Sequence, residues 1–256
     1  MTQLLTFEQP LNERMRTFLR FEHLMRRFRH SARGESPWDS HCALSTLIET
    51  ADLTARVDLK SELMKELKRQ VATLDALSAS PEVDLAQLQR VVQTHRAFVS
   101  RLDGHPGQLA GMLKHNEFLN SFKQRAVIPG GTCNFDLPSY HFWLGRPATE
   151  RQRDLESWAR PFAQLTEAIQ VVLGLVRQSA TPERLVAKAG FFQRNLDPSA
   201  PVQLIRISIH TVSSCFPEIS AGKHRFSVRF LEPRNLELRP KQTQGDVQFD
   251  LAICAL

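Results

Sequence analysis

The sequence predicts an α+β fold, with an N-terminal helical bundle over residues 1–182 and a smaller C-terminal antiparallel β domain over residues 183–256. Three observations predict it. Up to about residue 180, apolar residues recur at steps of three and four, the spacing that lines one face of a helix. Beyond Ala180 apolar and polar residues alternate instead, which is the pattern of strands with one wet face. Pro201, Pro217, Gly222, Pro233, Pro240 and Gly245 punctuate that second region, so short strands joined by loops, and hence antiparallel pairing, are expected.

The elements follow in order. Leu11, Met15, Phe18, Phe21, Met25 and Phe28 form the first helical stripe, and Gly34, Ser36 and Pro37 end it. Trp38 opens a second helix carried by Leu44, Leu47, Ile48 and Leu53. Asp58 caps a third, Leu59 to Leu74, whose Glu62–Lys65 and Glu66–Arg69 spacings set charge pairs on one face. Ser80-Pro81 and Gly104-His105-Pro106-Gly107 separate two more, carried by Leu85 to Phe98 and by Leu109, Leu113, Phe118 and Phe122. After Ile128-Pro129-Gly130-Gly131 come a short helix, Leu137 to Leu144, and one long helix from Thr149 to Gln178. The strands are Leu204 to Ile209, Arg225 to Phe230 and Val247 to Ile253, with Phe191-Phe192 as a further candidate.

Composition narrows the function classes. The chain has 256 residues, 42% of them hydrophobic, enough to bury a full core. Cys42, Cys133, Cys215 and Cys254 are widely spaced with no CxxC pair, which fits a reducing compartment rather than a disulfide scaffold. The first residues become polar at once, so no signal peptide is expected, and no stretch approaches the ~18 apolar residues of a membrane span. A cytoplasmic protein without membrane insertion is therefore expected. The formal charge of +6 favours acidic partners.

Signatures of catalysis are missing: GxGxxG, GxxxxGK[ST], GxSxG and HExxH do not occur. Cys133 with His141 eight residues on could in principle pair a thiol with a base, but a diglycine after proline is better read as a sharp turn. The histidines and cysteines lack metal-ligand spacing. No catalytic residue, metal or cofactor is expected. Nucleic acid is also set aside, because no helix-turn-helix glycine pattern, zinc finger or RNP-like aromatic pair accompanies the basic residues.

The charges have a geometry. Arg16, Arg20, His23 and Arg27 fall on one helical strip, opposite the apolar stripe. With Phe226, Val228 and Phe230 pointing inward, Arg225 and Arg229 point outward, as Arg206 does on the earlier strand. Residues 1–33 hold seven arginines against three glutamates, and residues 220–241 hold six basic residues against two glutamates. Like charges set side by side oppose folding unless a partner uses them, so a protein-binding role is expected.

Several strings carry a family resemblance: Phe7-Glu8-Gln9-Pro10-Leu11-Asn12-Glu13-Arg14-Met15-Arg16-Thr17-Phe18-Leu19-Arg20, Leu63-Met64-Lys65-Glu66-Leu67, Ile128 to Pro138 (IPGGTCNFDLP), His141-Phe142-Trp143-Leu144 and Arg225 to Phe230 (RFSVRF). Together they resemble ZapD, the Z-ring-associated division proteins, over essentially the whole chain. The resemblance implies a non-catalytic homodimer of the midcell division ring that binds the C-terminal tail of FtsZ, the tubulin-like division GTPase, and bundles its filaments. It places tail contacts at Arg20, His141, Arg225 and Arg229, with Lys114, Lys123 and Arg125 on a neighbouring helix; the strip and strand geometry adds Arg16 and Arg206. Glu117 stands where relatives tend to be basic, and Ala221-Gly222-Lys223-His224 replaces a more regular Gly-His-Lys run.

Overall fold

A computed structural model of the chain describes residues 4–78, 83–104, 115–233 and 237–256. Its contacts divide the chain into two compact units, Phe18–Val172 and Met1–Thr17 with Leu173–Leu256. The architecture is α+β, with eight helices among the described residues and antiparallel strands concentrated towards the C-terminus.

The helices are α1 Glu13–Ser31, α2 Pro37–Arg56, α3 Leu59–Leu77, α4 Leu85–Asp103, α5 Glu117–Ala126, α6 Pro138–Leu144, α7 Ala148–Ala159 and α8 Ala163–Gln178. The starts of α2 to α5 are set by short polar side chains that accept the unpaired first-turn amides. Ser36 and Asp39 form a reciprocal capping box ahead of α2, Asp58 accepts from Ser61 N at 3.0 Å, and Asp84 and Asn116 cap α4 and α5. The apolar stripe of α1 is buried from Met15 to Phe28, and Leu44, Leu47, Leu63, Leu67, Phe122 and Phe162 are buried in the helical unit. Leu109 and Leu113, expected at the start of the fifth helix, lie outside the described residues.

One expectation for this unit needs correction. Thr149 to Gln178 is not one helix: α7 ends at Ala159, a 3₁₀ turn spans Arg160–Phe162, and α8 follows. Pro161 explains the break, since it lacks the amide that would donate to residue 157 and its ring crowds that carbonyl. The expected Glu66–Arg69 pair forms, and its carboxylate is buried. Arg69 reaches it at 2.5 Å, and Gln70 bridges from Glu66 to the Val172 carbonyl and to the buried His95 ring at 3.0 Å. Burial disfavours the charged ring of His95 and lowers its pKa, although a bond to the Val91 carbonyl works the other way.

The β unit holds β1 Leu4–Pro10, β2 Glu183–Ala187, β3 Phe191–Asn195, β4 Val202–His210, β5 Phe216–Ala221, β6 Arg225–Glu232, β7 Lys241–Gln242 and β8 Val247–Ala255. They make two antiparallel sheets, ordered β1-β4-β8-β2 and β3-β6-β5, with β7 pairing β6. Ile205, Ile207, Ile209, Phe249 and Leu251 of the first pack with Phe226, Val228 and Phe230 of the second, and the Phe230 and Phe249 rings lie 5.2 Å apart. The turn into β3 requires its glycine: Gly190 has φ +68°, and a Cβ there would stand 2.6 Å from Thr243.

The N-terminal residues, expected with the helices, join this unit as β1, paired with β4 from Leu4↔His210 to Pro10↔Leu204. The expectation of one wet face fails for β4. Its second face carries Leu204 and Arg206 beside Ala252 and Cys254 of β8, and Leu204, Ala252 and Cys254 are all buried. Burial pushes the Cys254 thiol up to about 11, so it stays protonated at neutral pH.

Candidate functional site

The basic residues picked out by the sequence divide according to whether a carboxylate holds them. In the β unit, Arg206 stands directly across from Glu8 in the β1–β4 register, and its Nε donates to Glu8 Oε1 at 3.0 Å. Arg177 of α8 takes the same carboxylate with two nitrogens, each at 2.8 Å. Burial works to raise the Glu8 pKa, and the bonds and charges of Arg177 and Arg206 outweigh it and hold the carboxyl below its ordinary value. The group is half-buried, with side chains between 19% and 27% exposed. Arg206 therefore ties β1, β4 and the end of α8 together; the outward, open position expected for it is not what the structure shows.

On the other sheet the alternation of β6 behaves as expected. Phe226, Val228 and Phe230 are buried, and Arg225 and Arg229 are exposed. Arg229 faces Glu218 across the β5–β6 pair and forms an ion pair with it. Arg225 lies at the mouth of the hairpin, where Gly222 N donates to the Arg225 carbonyl at 2.9 Å, and its guanidinium has no carboxylate partner among the described residues. Lys223 and His224 are exposed beside it in the same turn. The tip thus presents a short cationic cluster, and Lys223 belongs with the candidates although the strand alternation gave no reason to select it. Arg16 is half-buried and bonded to Glu13 at 2.9 Å, one helical turn back.

In the helical unit Arg20 is exposed on α1 and has no carboxylate partner among the described residues. Arg27, on the same predicted strip, turns instead into α2, donating to Thr46 Oγ1 at 2.8 Å and pairing with Glu49 at 2.6 Å. On α5, Lys123 is paired with Asp52, and Arg125 lies 3.8 Å from Asp136. Lys114 lies outside the described residues.

His141 sits on α6 between a buried and an exposed aromatic. Tyr140 is buried and its hydroxyl lies 2.6 Å from His41 Nδ1; burial raises the phenol and lowers the imidazole pKa, keeping both neutral. Phe142 is 77% exposed. The turn before α6 is shaped by its two glycines, because Gly130 has φ +73° and a Cβ on Gly131 would fall 2.5 Å from the Arg125 carbonyl. That turn leaves Val127, Ile128 and Phe135 exposed near His141 in sequence. Cys133 Sγ faces Asp136 at 3.4 Å, so its hydrogen-bond partner is an acid and not the histidine base of a thiol mechanism.

Among the described residues no group of three or more His, Cys, Asp or Glu side chains could bind a metal ion, and no helix is long and apolar enough to cross a membrane.

Comparison with known proteins adds a lineage. The family model ZapD, described as a cell division protein, matches residues 19–229. The chain is 44% identical over 256 residues to the cell division protein ZapD of Methylococcus capsulatus, covering all of both chains. It is 38% identical over 253 residues to that of Dechloromonas aromatica, covering 99% of this chain and all of the relative. With the ZapD of Coxiella burnetii it shares 37% identity over 254 residues, 98% of each chain.

Proposed function

The chain belongs to the ZapD family of cell division proteins, and from that premise we propose that it is a non-catalytic cross-linker that binds the C-terminal tail of FtsZ and bundles FtsZ filaments at the midcell ring in the cytoplasm. The observation that carries the reading is the set of exposed cations with no carboxylate partner among the described residues: Arg20 on α1, and Arg225 with Lys223 at the β5–β6 turn. An unpaired guanidinium on a regular element loses no existing partner when it meets an acidic peptide, and its position is already fixed by the backbone.

The other candidates take graded roles. His141, beside exposed Phe142, adds a polar contact next to apolar surface. Arg16, Arg125, Lys123 and Arg229 must exchange an exposed internal pair for a contact to the tail; such pairs are worth about 0–1 kcal/mol, so the exchange is cheap and the net gain small. Lys114 remains a tail contact on the resemblance alone. Arg206 is assigned to the fold.

Bundling follows from valence. A homodimer offers two tail sites, and a filament offers a tail on every subunit. Once one tail is held, its neighbours sit at high effective concentration, which raises avidity by about 10²–10⁴-fold without new contacts. Weak, salt-sensitive sites then suffice and still exchange quickly.

The test is co-sedimentation with FtsZ filaments at low centrifugal force. Full-length FtsZ should pellet with this protein, and FtsZ lacking its tail should stay in the supernatant. Equal pelleting of tail-less filaments would reject the tail as the ligand.

A further inference from the structure

The second half of α1 carries a basic surface that the tail assignment does not use. A concavity of about 810 Å³ is lined by Arg26, Arg29, His30, Arg33, Gly34 and Asp39. Arg26, Arg29 and His30 share one face of α1 at i, i+3 and i+4, and Arg33 follows in the turn after the helix ends at Ser31. Arg26 and Arg33 have no side-chain partner among the described residues. Among the described residues Arg29 is held only by neutral acceptors: its Nε donates to the Met25 carbonyl at 3.3 Å, and its terminal nitrogens lie 3.2 and 3.0 Å from the Gln170 amide oxygen when that amide is turned to face them. Asp39 is the one acid in the lining, and its Oδ2 is already engaged by the Ser36 amide at 3.1 Å and the Ser36 hydroxyl at 2.7 Å. Asp39 keeps its charge and acts on His30, and three guanidinium groups against that one carboxylate leave the concavity net positive.

A helix C-terminus attracts cations, which accounts for Arg29 and His30 in the last turn. It does not account for Arg26, three residues before Arg29 on the same face where like charges repel, nor for Arg33 in the turn just beyond the helix. The wall opposite is also built. Gly34 packs so closely that a Cβ would stand 2.3 Å from Asp39 Cγ. The buried Arg151 donates to the Glu35 carbonyl at 2.6 Å and to Ser40 Oγ at 2.9 Å, and Gln152 Nε2 reaches the Arg33 and Gly34 carbonyls, each at 3.2 Å. The loop that shapes the concavity is thus pinned through its own carbonyls before any ligand arrives, which removes most of the ordering cost of binding.

From this geometry we propose that the concavity is a binding site for a phosphate-bearing anion. Guanidinium forks match phosphate oxygens two at a time, and three of them converge here with an imidazole. From Arg26 to the end of α1 at Ser31 is only about 8 Å, with Arg33 in the next turn, the dimension of a short polyphosphate and not of an extended peptide. The shared chemistry admits two sources, a free polyphosphate or nucleotide and the phosphorylated headgroup of a lipid.

The test is calorimetric titration of the full chain with inorganic tripolyphosphate at low salt. Saturable one-site binding is expected, weakened about tenfold or more by Arg26→Ala with Arg33→Ala and less, but measurably, by Arg26→Lys with Arg33→Lys, which keep the charge and lose the fork, with unchanged melting temperatures. An Arg20→Glu, Arg225→Glu variant should bind tripolyphosphate as the wild type does, which separates this site from the tail reading. Flotation with vesicles containing a phosphoinositide identifies the source: flotation lost in the alanine pair supports a lipid headgroup, and tripolyphosphate binding without flotation supports a free anion. No saturable binding to either probe, equal binding by the alanine pair, or loss in the Arg20/Arg225 variant would overturn the proposal. So would failure of both phosphate probes alongside capture of an acidic peptide that depends on Arg26 and Arg33.

Discussion

Arg206 on β4 and Arg225 on β6 occupy the same kind of position in sequence, a charged residue alternating with buried apolar ones, and the structure gives them opposite fates. Arg206 meets Glu8 from a strand 198 residues away and shares it with Arg177. Arg225 stands at a hairpin mouth with its side chain unopposed among the described residues. Alternation predicts which face of a strand a side chain takes, but the neighbour on that face decides whether a cation stabilises the fold or remains available to a partner. A basic surface is therefore better judged by its unpaired charges than by its total.

Several substitutions would break or sharpen this contrast. Glu8→Ala has the largest expected effect, because it leaves two half-buried guanidinium groups without their carboxylate; a loss of about 2–4 kcal/mol in urea unfolding is expected, with tail binding by the folded protein retained. Next comes Arg225→Glu, which should leave stability within about 0.5 kcal/mol and weaken FtsZ-tail binding by about tenfold, roughly 1.4 kcal/mol, as read by fluorescence anisotropy. Arg229→Ala should weaken tail binding by only about threefold, since Glu218 competes for that guanidinium in the free protein.

The pH dependence tests the closed group from another side. Glu8 has a lowered folded-state pKa, so its contribution is present above the ordinary glutamate range and is lost as the pH falls through the folded value. Melting temperatures of the wild type and Glu8→Gln should differ most near neutral pH and converge on acidification. A constant difference down to the lowest pH at which the protein folds would remove Glu8 from that role.

The helices were largely legible in the sequence because their information is local. The stripe from Met15 to Phe28, the Asp58 cap and the alternation of β6 all reappear in the structure. β1 was not legible, since Leu4 to Pro10 has meaning only beside β4, and no local pattern announces a partner about 200 residues on. The break at Pro161 was present in the sequence but masked by the aliphatic run on either side. For the candidate site, outward direction was readable for Arg20, Arg225 and Arg229, whereas pairing was not. Glu8, Glu218, Asp52 and Asp136 become counterions only when tertiary structure brings them across. The concavity at Arg26 and Arg33 was hidden for the same reason, because its wall depends on Arg151 and Gln152, more than a hundred residues away in sequence.

One paired measurement addresses the central claim most directly: the affinity of an FtsZ-tail peptide for Arg206→Gln and Arg225→Glu, with the melting temperature of each. The account predicts that Arg206→Gln melts earlier yet binds the tail with near wild-type affinity, while Arg225→Glu melts normally and binds about tenfold more weakly. Tail binding lost in Arg206→Gln and intact in Arg225→Glu would contradict it.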